Sequence, residues 1–245
     1  MELKLLHFYP DLMSLYGSYA NVAVLRRHLE DLGNAVTAET ILPGQDADVA
    51  GADFVFMGAG TERSQKAALA DFARFGPAVQ RAADSDMAML FAGTAMELLG
   101  SEITDDAGSR YPGIALADFT AVQGRKRLVG DVYGTTELIP QAVVGFMNKC
   151  AVISGVETPL LSGCGLGFGN EREGGPEGFR YRSVLGSELT GPILVKNPRL
   201  LDWVIAAIYQ RRGESLPESR PVYPYEEGGY QVTSEQLKLR CTREG

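Results

Sequence analysis

Histidine and cysteine are both scarce in this chain, and their scarcity restricts the chemistry that it can perform. The 245 residues include two histidines, His7 and His28, and three cysteines, Cys150, Cys164 and Cys241. Three cysteines cannot all pair, and no two stand at CxxC spacing, so neither a disulfide framework nor a zinc site is predicted. A mechanism with an imidazole base must use His7 or His28. Both lie in segments that favour a structural role.

Long apolar runs and an excess of positive charge are also missing. No run approaches the roughly 18 apolar residues of a membrane helix, and the N-terminus has no basic segment followed by an apolar stretch. We therefore expect a cytoplasmic protein without membrane insertion. The formal net charge is -8, which argues against nucleic-acid binding because a phosphate backbone requires a basic face. With 245 residues, 45% of them hydrophobic, the chain is long enough for one compact domain.

The N-terminal part of the chain alternates between strand-like and helix-like segments. Strands are predicted where apolar residues run together, and helices where they recur every three or four positions. The predicted strands span residues 3–9, 36–41, 53–58 and 87–92, and the predicted helices span residues 21–32 and 64–83. This alternation indicates βαβ units. The predicted fold class is therefore α/β, with a mixed, largely parallel sheet flanked by helices.

After Gly100 the pattern changes to short strands separated by glycine, proline and charged turns. Strands are predicted at residues 127–133, 142–147 and 179–184. A last long helix is expected to begin at Pro198, with Asn197 as its N-cap and Gly213 just after its end.

The C-terminal segment is predicted to be separate from the main domain. We assign residues 1–212 to the domain and residues 213–245 to an extension. Prolines and tyrosines between Pro221 and Tyr230 suit packing on the domain or on a partner. Residues 234–240 are expected to form a short final helix.

Two turns at the ends of predicted strands are candidates for a site. Gly58, Ala59 and Gly60 follow one strand, at the sheet edge where open α/β folds bind ligands. Glycines there let backbone N–H groups stabilise an oxyanion, although a plain tight turn is the alternative interpretation. The turn at Gly93 and Thr94 has the position of a nucleophile elbow, but no histidine is evident to activate Thr94. The candidate substrate-binding residues are Gly58, Ala59, Gly60, Arg63 and Thr94.

A glycine-rich segment later in the chain, Gly165–Asn170, does not fit a dinucleotide-binding loop. Its glycine spacing differs from GxGxxG, and the residues after it, ERE followed by two glycines and a proline, cannot begin a long helix. We interpret it as a loop between strands.

Five segments, in the same order along the chain, carry a resemblance to a known family. They are YPDLMSLYG at residues 9–17, GAGTERSQ at 58–65, VGFMN at 144–148, GFGN at 167–170 with PEG at 176–178, and GPILVKNP at 191–198 with Asp202-Trp203. They resemble GatD-like members of the CobB/CobQ-type class I glutamine amidotransferases. The corresponding family motifs include GGGxDREQ, VGFEN, GYGN…EG and GPLLPKNPxLxDW. The resemblance covers about residues 5 to 210.

This resemblance implies a reaction and a partner. In the family, a cysteine thiolate attacks the side-chain amide of glutamine, a histidine moves the proton, and backbone N–H groups hold the oxyanion. The released ammonia passes to an ATP-using, Mur-ligase-like partner of the MurT type, which amidates the D-glutamate of lipid II. The resemblance therefore implies a role in peptidoglycan precursor synthesis, with no cofactor and no metal.

The catalytic positions depart from the family's pattern. When the family motif CGGYQxLG is aligned on Leu99 and Gly100, Gly93 stands at the position of the nucleophilic cysteine. Thr190 stands at the position of the histidine that precedes GPLL, and Glu157 replaces an arginine of the family's ENHGGRT segment. Glycine has no side chain and threonine cannot replace imidazole as a base. The sequence therefore predicts a pseudo-amidotransferase that binds or regulates a Mur-ligase-like enzyme.

Two alternatives remain open. In the first, the chain is an active amidotransferase with a relocated nucleophile, either Thr94 or Cys150, whose neighbour Lys149 would lower the thiol pKa. In the second, the altered pocket binds glutamine or a related small ligand without reaction, and the protein acts as a sensor.

Overall fold

The computed structural model of the protein describes residues 1–171 and 175–244. Its strands are β1 (Glu2–Phe8), β2 (Ala35–Ile41), β3 (Phe54–Met57), β4 (Ala88–Ala92), β5 (Glu102–Thr104), β6 (Arg110–Pro112), β7 (Thr120–Thr135), β8 (Val143–Ser154), β9 (Gly163–Leu166), β10 (Phe179–Tyr181), β11 (Val184–Ser187) and β12 (Leu189–Thr190). Its α-helices are α1 (Ala20–Asp31), α2 (Glu62–Phe72), α3 (Gly76–Asp84), α4 (Ile193–Lys196), α5 (Pro198–Arg211) and α6 (Pro224–Glu244). Short 3-10 helices lie at Leu15–Gly17, Ala73–Phe75 and Gly93–Leu99.

The first sheet is largely parallel and has helices on both faces. Its strand order is β10-β11-β4-β3-β1-β2, and β10 is its antiparallel member. Apolar side chains from the central strands alternate between two buried clusters, one with α2 and α3 and the other with α1 and α5. Burial on both faces explains why these strands are almost continuously apolar in sequence. The predicted α/β fold class with a mixed, largely parallel sheet is confirmed.

The second sheet was visible in the sequence only as short strand-like segments. Its order is β12-β8-β7-β5-β6, β9 also pairs with β7, and its pairs are antiparallel except that of β5 with β7. Strands β7, with 16 residues, and β8, with 12, extend well beyond the predicted 127–133 and 142–147. A register shift between Gln123 and Leu128 interrupts the alternation that sequence reasoning relies on. The predicted strand 179–184 is two strands, β10 and β11, joined by a turn in which Arg182 has a φ of 51°.

The predicted helices exist, but several boundaries differ. The predicted helix 64–83 is two helices, α2 and α3, separated at Ala73–Phe75 because Pro77 begins a new helix. Asn21 and Asn197 do not cap helices through their side chains, contrary to prediction. Asn21 binds the backbone of Ser18, Gly191 and Leu194 instead. The side chain of Asn197 binds both backbone groups of Val144 in β8 and the carbonyl of Ile193.

The C-terminal helix α6 is much longer than the predicted 234–240. It has 21 residues and lies against β7, β8 and β9. Its Leu237 is buried with Val144 and Leu166, and the Tyr230 hydroxyl donates to the carbonyl of Ala142. The division at residue 212 remains a prediction.

Residues 172–174, in the stretch predicted not to form a helix, lie outside the described residues. Within residues 1–171 and 175–244, none of the helices is both long and apolar enough to cross a membrane.

Candidate functional site

The turn after β4 is the centre of the candidate site. Gly93 has a φ of 60°, a left-handed conformation that glycine adopts without strain, and it directs the chain into the 3-10 helix Gly93–Leu99. A Cβ atom placed on Gly93 would lie 2.7 Å from the Cβ of Ala59 and 3.7 Å from Cγ2 of Thr190. Gly93, Ala59 and Thr190, which the sequence analysis singled out separately, therefore lie next to one another. The space beside Gly93 that a larger side chain would need is filled by the methyl group of Ala59.

The Gly58–Gly60 loop is held closely by the segment that follows β1. A Cβ on Gly58 would collide with Ser18 Oγ and lie 2.6 Å from the carbonyl oxygen of Met13, and a Cβ on Gly60 would lie 2.9 Å from that of Leu12. Both glycines are thus required by packing, whatever their chemical role. The tight-turn interpretation accounts for them without a ligand.

The backbone N–H of Gly60, in the loop that the sequence predicts to serve an oxyanion, already has a partner. It donates to Oγ1 of Thr94 at 3.0 Å, and the Thr94 hydroxyl donates back to the carbonyl of Gly60 at 3.1 Å. Thr94 is buried, with 5% of its surface exposed. Of the predicted substrate-binding residues, Gly58, Ala59, Gly60 and Thr94 therefore lie together, and Gly60 and Thr94 bind one another.

A buried polar network continues from Thr94 into the protein. Gln65 donates to the Thr94 carbonyl at 2.7 Å, and Gln123 donates to both Gln65 Oε1 and Glu97 Oε2 at 2.8 Å. Burial raises the pKa of Glu97 to about 7. The network fixes α2 against the 3-10 helix and immobilises the turn that carries Gly93.

Thr190, which the sequence analysis aligns with the family's base, is turned toward the second sheet. Its Oγ1 donates to the carbonyl of Phe146 in β8 at 3.0 Å. Two residues earlier, Glu188 is buried, its carboxylate oxygens have no hydrogen-bond partner among the described residues, and burial raises its pKa well above the usual value. Glu177 accepts hydrogen bonds from the Ser187 hydroxyl and the Glu188 amide, and burial raises its pKa to about 7. These groups lie close to Thr190 in the chain, and none of them is an imidazole that could act as the family's base.

A chain of polar side chains joins the second sheet to the first near this turn. Asn148 donates to the Tyr16 hydroxyl at 2.8 Å, and Arg127 donates to the Asn148 carbonyl at 2.8 Å and to Glu62 at 2.6 Å. Burial opposes ionisation of Glu62, but the hydrogen bonds it receives from Arg127 and its neighbours hold its pKa below the usual value. Sequence reasoning missed Arg127, because only the folded chain brings this residue of β7 to Glu62 of α2.

An open pocket of about 310 Å³ lies beside this chain of side chains. Charges of both signs line it, together with a glutamine and a thiol: Glu62, Lys66, Asp106, Gln123, Arg125, Arg127 and Cys150. It has the size and the mixed charge that suit a small zwitterion.

Cys150 is not an activated thiol. Its Sγ donates to Glu62 Oε1 at 3.3 Å, and burial together with Glu62 raises its pKa to about 12. The expected activation by Lys149 does not occur, because neighbouring residues of a strand point to opposite faces. The Lys149 ammonium is buried and donates to the carbonyls of Gly169 and Asn170. Burial raises the pKa of Cys164 to about 12 as well.

Both histidines have structural environments, as the sequence predicts. His7 packs against Phe56 in the first sheet, and burial lowers its pKa to about 4. His28 lies on α1, 3.0 Å from Glu226 and stacked on Tyr223 with ring centroids 3.8 Å apart. Their partners are therefore β3 and the C-terminal segment, and Gly93 and Thr190 are not among them.

Two residues that the sequence analysis associates with the substrate, Arg63 and Glu157, are exposed at the surface. Arg63 is exposed on the first turn of α2, outside the cluster of Thr94 and Gly60, and its role in substrate binding remains a prediction. Glu157 lies on an exposed turn after β8, lining a surface pocket with Glu137 and Arg180. The expectation that Glu157 faces the substrate carboxylate remains a prediction.

Comparison with known proteins gives matches over most of the chain. The profile of the CobB/CobQ-like glutamine amidotransferase domain matches residues 4–198. The chain is 27% identical over 216 residues to the lipid II isoglutaminyl synthase (glutamine-hydrolyzing) subunit GatD of Staphylococcus aureus, with 86% of each chain covered. It is 28% identical over 219 residues to the subunit of the same name from Streptococcus pneumoniae, with 88% of this chain and 84% of that one covered.

Two solved structures share the fold. A glutamine amidotransferase from Thermotoga maritima superimposes with a TM-score of 0.54 at 7% identity, covering 98% of this chain and 94% of that one. A second glutamine amidotransferase gives a TM-score of 0.52 at 15% identity, covering 83% of this chain and 98% of that one. These likenesses support the architecture of two sheets and flanking helices.

Proposed function

The chain belongs to the CobB/CobQ-like glutamine amidotransferase family, and from this premise we propose that it is a GatD-like subunit without glutaminase activity. In this proposal it acts in the cytoplasm as a binding or regulatory partner of a Mur-ligase-like, MurT-type enzyme. The complex would amidate the D-glutamate of lipid II, the precursor of peptidoglycan. The two curated relatives, both named as subunits of lipid II isoglutaminyl synthase, support this assignment of pathway.

The observation that carries the proposal is the pair Gly93 and Ala59. Gly93 supplies no atom that can attack an amide. Ala59, which stands at the second glycine of the family's GGGxDREQ motif, fills the space where a Cβ of residue 93 would lie. The proposed loss of the nucleophile is thus accompanied by a second change, because the methyl group of Ala59 fills the space that a side chain on residue 93 would need. Both changes disfavour a nucleophile at this position.

Of the other two components of the family's reaction, the base is replaced and the oxyanion-binding N–H is already hydrogen-bonded. Thr190 binds the Phe146 carbonyl and cannot transfer a proton near neutral pH. The Gly60 N–H is bound by Thr94, which stands at the first glycine after the family's cysteine, so an oxyanion at that position would have to displace a buried hydrogen bond. Loss of nucleophile and base ordinarily lowers the rate by several orders of magnitude.

The test is release of ammonia and glutamate from glutamine by the purified chain, alone and with its Mur-ligase-like partner. We expect no release above that of a heat-denatured sample in either case. An amidotransferase with its cysteine in place serves as the positive control. Glutamine turnover that is lost in Cys150→Ser or in Thr94→Val would contradict the proposal and favour a relocated nucleophile.

The pocket beside Arg127, which does not include the altered positions Gly93 and Thr190, favours the sensor as a second candidate function. Its arginines and lysine suit a carboxylate, and Glu62 and Asp106 suit an ammonium group, so an α-amino acid such as glutamine is the expected ligand class. A bound ligand must stabilise the folded protein. We expect millimolar glutamine to raise the Tm of the wild type but not of Arg127→Ala. Equal shifts in both proteins would reject this function.

A further inference from the structure

The residues of the candidate site are all buried in the structure. They are Gly58, Ala59, Gly60, Gly93, Thr94 and Thr190. The pocket beside Arg127, by contrast, is open to solvent and is lined by other residues. A small molecule can therefore contact the candidate site only after a segment of the chain that covers it has moved.

A short turn between β1 and α1, residues 14–17 and here named the cover turn, lies over this site. The Leu15 N–H donates to the Ala59 carbonyl at 2.9 Å. A Cβ on Gly191, the residue that follows β12, would lie 3.0 Å from the carbonyl oxygen of Tyr16. The cover turn therefore contacts both the loop after β3 and the turn after β12, and it stands between them and the solvent.

The cover turn is held closed by few interactions and contains unfavourable ones. Leu15 is 40% exposed and Tyr16 is 49% exposed, so burial of their apolar surface contributes little. Tyr16 has a φ of 59°, a left-handed conformation that costs free energy in a residue with a Cβ. The hydroxyl oxygens of Ser14 and Ser18 are buried without a hydrogen-bond partner among the described residues, and opening would hydrate them. The closed turn is thus poised to open.

Two side chains of the second sheet hold the cover turn in its closed position. The amide nitrogen of Asn148 donates to the Tyr16 hydroxyl at 2.8 Å, and the amide oxygen of Asn148 accepts from Nε of Arg127 at 2.5 Å. A second N–H of Arg127 donates to the Asn148 carbonyl at 2.8 Å. Because Arg127 engages the amide oxygen, the amide nitrogen is directed at Tyr16. Arg127 thus orients Asn148, and Asn148 holds Tyr16; these three residues are here named the latch.

The latch begins in the open pocket, because Arg127 lines that pocket and binds Glu62 there at 2.6 Å. A ligand carboxylate competes for a guanidinium with two parallel hydrogen bonds, which a neutral amide cannot match. An Arg127 that turns to such a ligand releases the amide oxygen of Asn148 and, with it, the restraint on Tyr16.

We propose that the cover turn is a gate over the candidate site, and that a small carboxylate bound by Arg127 in the open pocket unfastens the latch and opens it. The ligand favours the open state because the guanidinium is free to bind it only there. This inference rests on the second candidate function, ligand binding in the pocket beside Arg127. It adds the route by which that pocket and the buried site communicate.

The first test is amide hydrogen exchange of Leu15, measured by NMR on the full chain, since this amide is released when the cover turn opens. Tyr16→Phe removes only the hydroxyl that Asn148 binds and should raise the exchange rate about fivefold. Tyr19→Phe, which removes an exposed hydroxyl two residues after the cover turn, is the matched control and should exchange like the wild type. Equal exchange in Tyr16→Phe and the wild type would overturn the proposal.

The second test addresses the arginine of the latch. Arg127→Ala should raise the exchange rate of Leu15 by about the same factor as Tyr16→Phe, and combining the two substitutions should add little, because both unfasten one latch. Arg125→Ala, at another arginine of the same pocket, is the control and should exchange like the wild type. Independent, multiplying effects of Arg127→Ala and Tyr16→Phe would show that they do not act through one latch and would overturn the proposal. Circular dichroism of each variant verifies the fold.

The third test adds millimolar glutamine as the probe carboxylate. Exchange of Leu15 should become about fivefold faster in the wild type and change little in Tyr16→Phe, whose latch is already unfastened. Glutamine that raises the Tm but leaves the exchange of Leu15 unchanged would overturn the coupling between the pocket and the gate. Glutamine that changes neither quantity would reject the second candidate function and this trigger together. The latch itself is judged by the variants without ligand, and none of these measurements depends on glutamine turnover.

Discussion

Ala59 and Gly93 are in contact at the turn that would hold a nucleophile, so a substitution at one position affects the other. Ala59 is buried with 1% of its surface exposed, and its methyl group lies where a side chain on residue 93 would begin. A protein interior packed at crystal density does not accept two groups in one place. Restoring the cysteine by itself therefore cannot restore the family's geometry.

The first prediction concerns this pair. Gly93→Cys should lower the free energy of unfolding by about 1–3 kcal/mol, because it adds a clash and forces a non-glycine residue to a φ of 60°. Ala59→Gly in the same chain should recover about 1 kcal/mol or more of that loss. Urea unfolding of the two single variants and the double variant gives the coupling free energy between the two substitutions. Additive effects would show that the methyl group of Ala59 does not occupy the position of the nucleophile.

The second prediction concerns Glu97, whose pKa is raised from its usual value to about 7 by burial. The folded protein holds this proton more tightly than the unfolded chain, so the stabilisation present at acidic pH is lost as the pH rises through about 7. Glu97→Gln keeps an acceptor for Gln123 and removes the charge. We expect this variant to exceed the wild type in stability at pH 8 by about 1–3 kcal/mol.

Exposed Glu235→Gln is the matched control for this measurement. It should leave the dependence of the unfolding free energy on pH as it is in the wild type. If Glu97→Gln shows the same slope as the wild type between pH 5 and pH 8, the buried carboxylate is not the source of the dependence.

At the level of helices and strands, local signals predicted the first sheet well and the second sheet poorly. Strands β3 and β4 are buried on both faces, and their apolar runs reveal this directly. In β7, exposed residues and a register shift obscure the alternation, so most of its 16 residues had no clear signature. α6 was also underestimated, because its glycines and exposed polar residues weaken the helical pattern and its stability depends on contacts with the domain.

The candidate site was predictable from the sequence only in part, because some of its features are local and others join distant segments. The strand-to-turn junctions at Gly60 and Gly93 are local features, and the family motifs aligned them. The contact of Ala59 with Gly93, the bond from Thr94 to Gly60 and the pairing of Arg127 with Glu62 join segments far apart in sequence. Only the assembled sheets bring these groups together, and they are the features on which the proposed loss of activity depends.

The third prediction concerns the proposed division of the chain near residue 212. Removing residues 214–245 should leave a folded domain, because the first sheet and its two apolar clusters lie almost entirely before that point. The unfolding free energy should fall by about 2–4 kcal/mol, since Val144 and Leu166 lose the cover of Leu237 and His28 loses Glu226. Tyr225→Ala, at a residue that is 93% exposed, is the control and should change stability little. A truncated chain that fails to fold would reject the division.

For the molecule as a whole, the scaffold of the family and its chemistry are separable. The profile of the family matches residues 4–198, and the parallel sheet, its helices and the second sheet are all present. None of these depends on a cysteine at residue 93 or a histidine at residue 190, because a fold is held by its core and a reaction by a few side chains. A subunit can therefore keep the surface that binds a partner after it has lost the ability to supply ammonia.

The last prediction follows from this separation. A complex of this chain with the proposed Mur-ligase-like partner should amidate its substrate when ammonium is supplied and should not do so with glutamine, because no group at Gly93 can release the amide nitrogen. Mass spectrometry of the product with ¹⁵N-ammonium and with amide-¹⁵N-glutamine, each added alone, distinguishes the two nitrogen sources. The GatD subunit from Staphylococcus aureus with its own partner is the positive control for glutamine. Label transferred from glutamine by this chain would show that a nucleophile operates elsewhere in it, and Cys150→Ser and Thr94→Val would then identify which residue supplies it.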